Sequence, residues 1–203
     1  AAFYGVGAYA TAGLGVTAGW PMWLVMPSGM FLTALLAAAV GAFAVRLVGV
    51  FFLMITLAIG EMIHAFVFRS RIFGGDDGMG GVPRINLDAV GINLVDPTQF
   101  SLFTVVVAMF VYFVATKIVD SPFGRVLAGI RENAPRMQAL GWPVRRYKLA
   151  AFVLAASVAG LAGSLAAQHN NFVSPELLTW TTSGEVLIVI IIGGIGTLVG
   201  PVA

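Results

Sequence analysis

Six long apolar runs dominate this chain, and they constrain its fold more strongly than any other feature. The runs cover residues 1–17, 23–45, 50–68, 100–119, 149–168 and 185–199. A helix of about 20 apolar residues crosses the hydrocarbon core of a bilayer, where only helices and closed barrels satisfy their backbone polar groups. The sequence therefore predicts an all-α, polytopic transmembrane helix bundle, with its last run cut short.

Composition supports a membrane protein and excludes several other classes. The chain is 59% hydrophobic and 10% charged, whereas about a quarter of the residues in a soluble domain are charged. It contains no cysteine, which rules out disulfides and thiolate metal sites within it. The net charge of +2 is small, and no interleaving of basic and aromatic residues points to nucleic acid. Because the first residue is Ala1, we interpret residues 1–203 as one transmembrane domain truncated at both ends.

The connector between the fourth and fifth runs, residues 121–148, carries six of the eleven basic residues. Its only acidic residue is Glu132. Basic connectors stay on the cytoplasmic side of a membrane, so this one orients the chain. Alternation then places the turn at Arg46 and the N-terminus inside, and the 69–99 and 169–183 connectors outside.

The same connector contains signals for two short helices. Ser121 followed by Pro122 predicts a capped helix over Pro122–Glu132. Asn133 then caps a second helix, which Gly141 ends in a left-handed conformation. The first helix has an apolar face, which we expect to need the membrane or a partner as its covering surface. Its members are Phe123, Val126, Leu127 and Ile130. The alternative is an ordinary solvated loop with snorkelling arginines.

Glu61 is the most informative single residue, because an ionisable group inside a span usually faces a bundle interior or a wet cavity. His64 lies one turn further along the same helix face. The pair lines a translocation path or fixes a broken helix, or else it forms a buried hydrogen bond that only fixes packing. Glu185 is a third path candidate, although its place near the outer end of a span is also explained by snorkelling.

The remaining motifs carry no recognisable chemistry. His64 and His169 are far apart in sequence, so no metal site, cofactor or catalytic constellation is predicted, and we expect no enzymatic activity. The segment from Gly193 to Gly200 lacks the Lys-Ser/Thr of a phosphate-binding loop. GGDDGMGG has the wrong spacing for a calcium loop and is interpreted as a flexible turn. Small residues spaced four apart predict close helix packing. They are Ala156, Gly160 and Ser164, Gly163 and Ala167, and Gly196 and Gly200.

Several segments, in this order, resemble the permease subunits of branched-chain amino acid ABC importers, the LivM type. The segments are AAFYGVGAYATAGL, FLMITLAIGEMI, FGGDDGMGGVPRI, SPFGRVLAGIREN, ALGWPVRRYKLAAFVLAASVAGLAGSL, FVSPE and EVLIVIIIGGIGTLVGPV. Together they cover most of the chain. The chain departs from the family pattern at Asn133-Ala134-Pro135, where acidic and aliphatic residues are usual, and at His64, where arginine is common.

The resemblance implies a cytoplasmic coupling loop, within 121–148, that docks on an ATP-binding subunit. The residues it assigns to coupling are Phe123, Gly124, Arg125, Arg131, Glu132, Ala139, Leu140 and Gly141. It also implies a multi-pass protein of the bacterial inner membrane, surrounded by lipid and working with several partners. These are two ATP-binding subunits, a second permease subunit in a heterodimer, and a periplasmic or lipid-anchored amino-acid-binding protein.

Three other functions stay open at this point. The same architecture could carry urea, short amides or another small polar solute, because specificity in such systems rests largely with the binding protein. An ion-coupled secondary transporter with Glu61 as its proton site would need no ATPase. A purely structural membrane subunit is a third, more remote reading.

Overall fold

The computed structural model describes residues 1–47, 49–84 and 96–194, and these residues are mostly helical. The α-helices are α1 (Ala2–Ala12), α2 (Met22–Ala44), α3 (Val50–Arg69), α4 (Pro97–Asp120), α5 (Pro122–Glu132), α6 (Ala134–Ala139), α7 (Val144–Asn170) and α8 (Trp180–Gly193). Two short strands, β1 (Met79–Gly80) and β2 (Phe172–Val173), form an antiparallel pair. One π-helical turn, Gly13–Thr17, extends α1, and 3₁₀ turns occur at Arg71–Phe73, Gly75–Asp77 and Pro175–Leu178.

The helices agree with the predicted bundle, although the spans differ in length. Within the described ranges, four helices are long and apolar enough to cross a membrane, namely α2, α3, α4 and α7. The first and last runs form shorter helices, with 11 residues in α1 and 14 in α8. Helix α7 begins at Val144, earlier than predicted, so Arg145, Arg146 and Lys148 lie on its first turns rather than in a loop.

Helix α7 is the centre of the bundle, and it packs against both α1 and α2. Small residues make this packing possible, as predicted. A Cβ atom on Gly163 would overlap the backbone of Tyr4, and one on Gly7 would overlap the backbone of Gly160. The Ser164 hydroxyl, buried in the same seam, donates to the Gly7 carbonyl oxygen across the interface at 3.3 Å. Gly196 and Gly200 lie outside the described residues.

Helices α2 and α7 run in opposite directions. The contacting pairs, from one end to the other, are Gly29 with Ser164, Thr33 with Gly160, and Gly41 with Leu149. The end of α2 and the start of α7 therefore meet, and Arg46 and Arg145 line one groove there. We call this the basic end of the molecule. It agrees with the prediction that the Arg46 turn and the 121–148 connector share one side of the membrane.

The opposite end of the bundle is built from the two connectors that were predicted to share the other side. Met79 pairs with Val173 and Gly80 with Phe172 in the β1–β2 ladder. The N–H of Gly81 also donates to the carbonyl oxygen of Asn171 at 3.0 Å. This pairing requires residues 79–82 and 171–173 to lie on the same side, which the charge pattern alone left weakly supported.

The glycine-rich segment forms a turn, as predicted, and the turn packs against β2. Gly74, Gly75 and Gly78 all have positive φ values, of 80°, 59° and 72°, a conformation that favours glycine. A Cβ atom on Gly78 would overlap the carbonyl oxygen of Val173. Gly78 is needed because the turn packs directly on β2, and Val82 behind it is 1% exposed.

Candidate functional site

Helices α5 and α6 form a compact knob at the basic end, with the predicted bounds and caps. The Ser121 side chain accepts a hydrogen bond from the Gly124 N–H, and Asn133 Oδ1 accepts one from the Arg136 N–H at 3.0 Å. Gly141 follows α6 with φ of 85°. These caps satisfy N–H groups that a helix start leaves without partners. The two-helix prediction is therefore confirmed.

The apolar face of α5 is covered by this chain itself, which corrects the expectation that it needs the membrane or a partner. Val126 and Ile130 are buried in a cluster with Val144, at the start of α7. Phe123 stacks on Tyr147, with ring centroids 5.4 Å apart. Burying a Val or Ile side chain contributes about 1.5–3 kcal/mol. The cause is the early start of α7, whose first turns supply the covering surface.

What the knob presents to its surroundings is the turn after α6. Leu140 is 66% exposed and Trp142 is 41% exposed. Most of the predicted coupling residues are also exposed. They are Arg125, Arg131, Glu132, Ala139, Leu140 and Gly141. We call residues 139–142 the exposed turn. Two neighbouring exposed apolar side chains on a capped turn make these residues a candidate interaction surface.

The other two predicted coupling residues, Phe123 and Gly124, are half-buried and serve the packing of the knob. A Cβ atom on Gly124 would overlap the backbone of Val119, so glycine lets α5 fold back closely on α4. Sequence reasoning missed Trp142. The sequence signal that could have identified Trp142 is an aromatic residue between a left-handed glycine and Pro143, in a connector rich in polar residues.

The knob is mechanically joined to two spans. Helix α5 follows α4 after Ser121 alone, and it packs against α4, α6 and α7. Trp142 also contacts Tyr147 on α7, with ring centroids 5.9 Å apart at 83°. The exposed turn is therefore connected to α4 and α7 through packed side chains.

Glu61 and His64 form a loose pair on the outer surface of α3. Their closest atoms, His64 Nδ1 and Glu61 Oε2, are 3.9 Å apart, and the two side chains are 25% and 53% exposed. The prediction of a buried hydrogen bond between Glu61 and His64 is therefore wrong within this chain. The distance between the two atoms is too long for a hydrogen bond, and the Glu61 carboxylate is not buried.

Glu61 opens into a small groove of about 170 Å³ between α1, α3 and α8. Gly60, Leu178 and Trp180 are among its walls. His64 and Glu185 do not line this groove, and Glu185 is exposed on α8. The structure thus brings Glu61 and His64 together but leaves Glu185 apart from them. A larger groove of about 870 Å³ separates α4 from α7, and neither Glu61 nor His64 lines it.

Arg84 is a basic residue at the end opposite the knob, where its charge interacts with protein groups. Its side chain donates to the carbonyl oxygens of Gln168 and His169, at 3.4 and 3.3 Å, at the carboxyl end of α7. Its guanidinium also lies 5.5 Å from the centroid of the Phe100 ring. A cation at a helix carboxyl end complements the partial negative charge there. Arg84 therefore ties β1, α4 and α7 together.

Within the described ranges, no group of three or more His, Cys, Asp or Glu side chains could hold a metal ion. The exposed turn is mainly apolar, and the Glu61 groove combines apolar walls with one carboxylate.

Comparison with known proteins was made on the whole chain. The family model described as "Branched-chain amino acid transport system / permease component" matches residues 1–203. The chain is 30% identical, over 217 aligned positions, to the "High-affinity branched-chain amino acid transport system permease protein LivM" of Escherichia coli strain K12. It is 29% identical over 218 positions to the protein of the same name from Salmonella typhimurium strain LT2.

Each of these two alignments covers 96% of this chain and 51% of the relative. The chain therefore spans about half the length of the curated relatives it matches. No solved structure gives a significant match.

Proposed function

We propose, from the premise that this chain belongs to the branched-chain amino acid transport system permease family, that it forms part of the membrane subunit of an ABC importer. The exposed turn at residues 139–142 is the observation that carries the proposal. Leu140 is 66% exposed on a knob whose own apolar face is already covered. We infer that this turn docks on a cytoplasmic ATP-binding subunit.

The proposed mechanism is a rigid-body transfer of motion. When the ATP-binding subunits close on ATP, the exposed turn moves with them, and the knob moves as a unit because α5 and α6 share a packed cluster with α7. Helices α4 and α7 receive this motion, and α7 passes it to α1 and α2, on which it is packed, so that the bundle moves as a body and alternates access to the path. Arg131 and Glu132 lie on the exposed side of the knob. We propose that they set the register of docking through charge.

The proposed cargo is a branched-chain amino acid, leucine, isoleucine or valine, since the two LivM relatives carry that description in their names. The proposed partners are two ATP-binding subunits, a second permease subunit and an amino-acid-binding protein on the outer side. The proposed location is the bacterial inner membrane. Urea or short amides as cargo remain the alternative within the same architecture.

Substitutions in the exposed turn test the docking. We expect Leu140→Asp to weaken both capture of the ATP-binding subunit and substrate-stimulated ATPase activity by at least about tenfold. This is the effect expected when an apolar anchor residue is lost from an interface. Gly141→Val should have a similar effect, because φ of 85° is unfavourable for a branched side chain. Both measurements use the reconstituted full-length complex.

The matched control is Gln99→Asp, which places the same charge on an exposed position in the first turn of α4, at the end opposite the knob. It should leave capture and ATPase activity near the wild-type level. If Leu140→Asp and Gly141→Val proteins insert normally and retain both activities, the exposed turn is not the coupling element. An assembly that transports its solute with no ATP-binding subunit would instead favour the secondary transporter.

A further inference from the structure

A second feature at the basic end is a groove lined by three arginines. It lies between the end of α2 and the start of α7 and has a volume of about 250 Å³. Its lining residues are Gly41, Ala42, Val45, Arg46, Arg145, Arg146 and Leu149. Arg46 comes from one helix end and Arg145 and Arg146 from the other, so only the tertiary structure brings the three charges together.

Among residues 1–47, 49–84 and 96–194, no carboxylate forms an ion pair with an arginine of this groove, and the ion pair seen is between Glu61 and His64. The whole basic end is rich in positive charge. Besides the groove it carries Lys117, Arg125, Arg131, Arg136 and Lys148, whereas its acidic residues are Asp120 and Glu132.

Helix packing holds the arginines near one another despite their mutual repulsion. A Cβ atom on Gly41 would lie 2.8 Å from both Leu149 Cδ1 and Phe152 Cδ1, so two side chains of α7 pack into the space that glycine leaves on α2. The ends of α2 and α7 cannot move apart without disturbing this contact. Like charges fixed in place favour a bound anion, and the small side chains of Gly41 and Ala42 leave room for one.

The groove also lies at the boundary between apolar and polar surface. The candidate span of α2 ends at Ala44, immediately before Val45 and Arg46. Phe43, in the last turn of α2, is 58% exposed. On α7, Leu149 begins the apolar part of the helix directly after Lys148. An arginine at this depth meets lipid phosphates, while the neighbouring apolar side chains meet acyl chains.

We propose that the arginine groove binds the headgroup phosphate of an anionic phospholipid in the leaflet at the basic end. Guanidinium groups bind phosphate oxygens through paired hydrogen bonds, and basic pockets between membrane helices bind anionic headgroups. An acidic segment of a protein partner is less well suited, because the apolar walls Val45 and Leu149 continue the span surface. The inference is independent of the cargo and of ATPase coupling.

The test is native mass spectrometry of the full-length protein titrated with phosphatidylglycerol, phosphatidylcholine or inorganic phosphate. The groove variant is the triple substitution Arg46→Gln, Arg145→Gln and Arg146→Gln. The matched control removes three other charges from the same end, by Arg125→Gln, Arg131→Gln and Arg136→Gln. All six arginines are exposed, so both variants should fold, which thermal unfolding checks.

We expect the wild type and the control to retain phosphatidylglycerol in preference to phosphatidylcholine. The groove variant should bind phosphatidylglycerol on the order of 100-fold more weakly than the wild type. This figure follows because each arginine near a membrane surface strengthens binding of an anionic lipid by roughly fivefold, and three arginines are removed. Lysine in place of the three arginines should restore part of this affinity, because charge is kept while the paired hydrogen bonds are lost.

Four results would overturn the proposal. The groove and control variants could lose phosphatidylglycerol equally, which would show only a general charge effect. Phosphatidylcholine could bind as tightly as phosphatidylglycerol. Inorganic phosphate could occupy the groove while phosphatidylglycerol does not, which would indicate a free-anion site. Finally, the groove variant could keep its lipid but lose the ATP-binding subunit, which would assign the arginines to a protein partner.

Discussion

At the scale of single residues, Glu61 has the most unusual position in the structure. It is a carboxylate on the exposed face of a span, with the exposed apolar residues Leu57 and Met62 close to it in the helix. A charged group on such a surface is costly in hydrocarbon, so it faces water or another polar surface in the assembled protein. The small groove beside it is consistent with a place on the solute path.

We expect Glu61→Gln to change the free energy of unfolding by less than about 0.5 kcal/mol, because the side chain is 53% exposed and has no short hydrogen bond. Solute uptake should nevertheless fall severalfold in reconstituted vesicles. Glu185→Gln, an exposed carboxylate outside the groove, is the comparison variant. A loss of folded protein on Glu61→Gln would make Glu61 a packing residue, and unchanged uptake would remove it from the path.

At the scale of elements, the close packing of α1 on α7 is the contact that organises the bundle. Gly163 is the tightest point, since its missing side chain leaves room for the Tyr4 backbone. Membrane helices gain stability from such close approach because the lipid supplies no hydrophobic drive between them.

We expect Gly163→Val to destabilise the protein by about 3 kcal/mol, the upper range for overpacking, because backbone rather than a flexible side chain must move. Thermal unfolding of the purified protein measures this. Ala162→Val, one residue earlier and exposed, enlarges a side chain without meeting α1 and should leave the unfolding temperature unchanged. Equal unfolding temperatures for the two variants would show that α1 does not pack on α7 at Gly163.

At the scale of the whole molecule, the chain has two distinct ends. One end holds the knob and the arginine groove, and the other holds the β1–β2 ladder with the glycine turn. The positive-inside rule assigns the first end to the cytoplasm. The strand pairing adds that the 69–84 and 171–178 segments must lie on the same side of the membrane.

Cysteine labelling in intact cells tests this arrangement, and the 203 residues contain no cysteine of their own. We expect Asp76→Cys and Glu176→Cys to react with an impermeant thiol reagent added outside, whereas Gln138→Cys should react only after the cells are opened. All three positions are exposed. Labelling of Gln138→Cys alone would reverse the orientation, and a split between Asp76→Cys and Glu176→Cys would contradict the strand pairing.

Local signals in the sequence were sufficient to predict the helices and their caps. Ser121 and Asn133 cap helices because their side chains reach N–H groups only three residues away, and Gly141 is left-handed because it lacks a Cβ atom. Span-length apolar runs likewise predict membrane helices without knowledge of their neighbours. The cluster of basic residues in 121–148 was enough to predict which end faces the cytoplasm.

Contacts between distant segments were decided only by the tertiary structure. The apolar face of α5 looked available from sequence, but Val144 and Tyr147 cover it because α7 begins five residues before the apolar run does. The arginine groove joins residues about 100 positions apart, and β1 pairs with β2 across a similar distance. Periodicity and capping report only on near neighbours in the chain. Which faces remain open for a partner therefore depends on packing that no local pattern encodes.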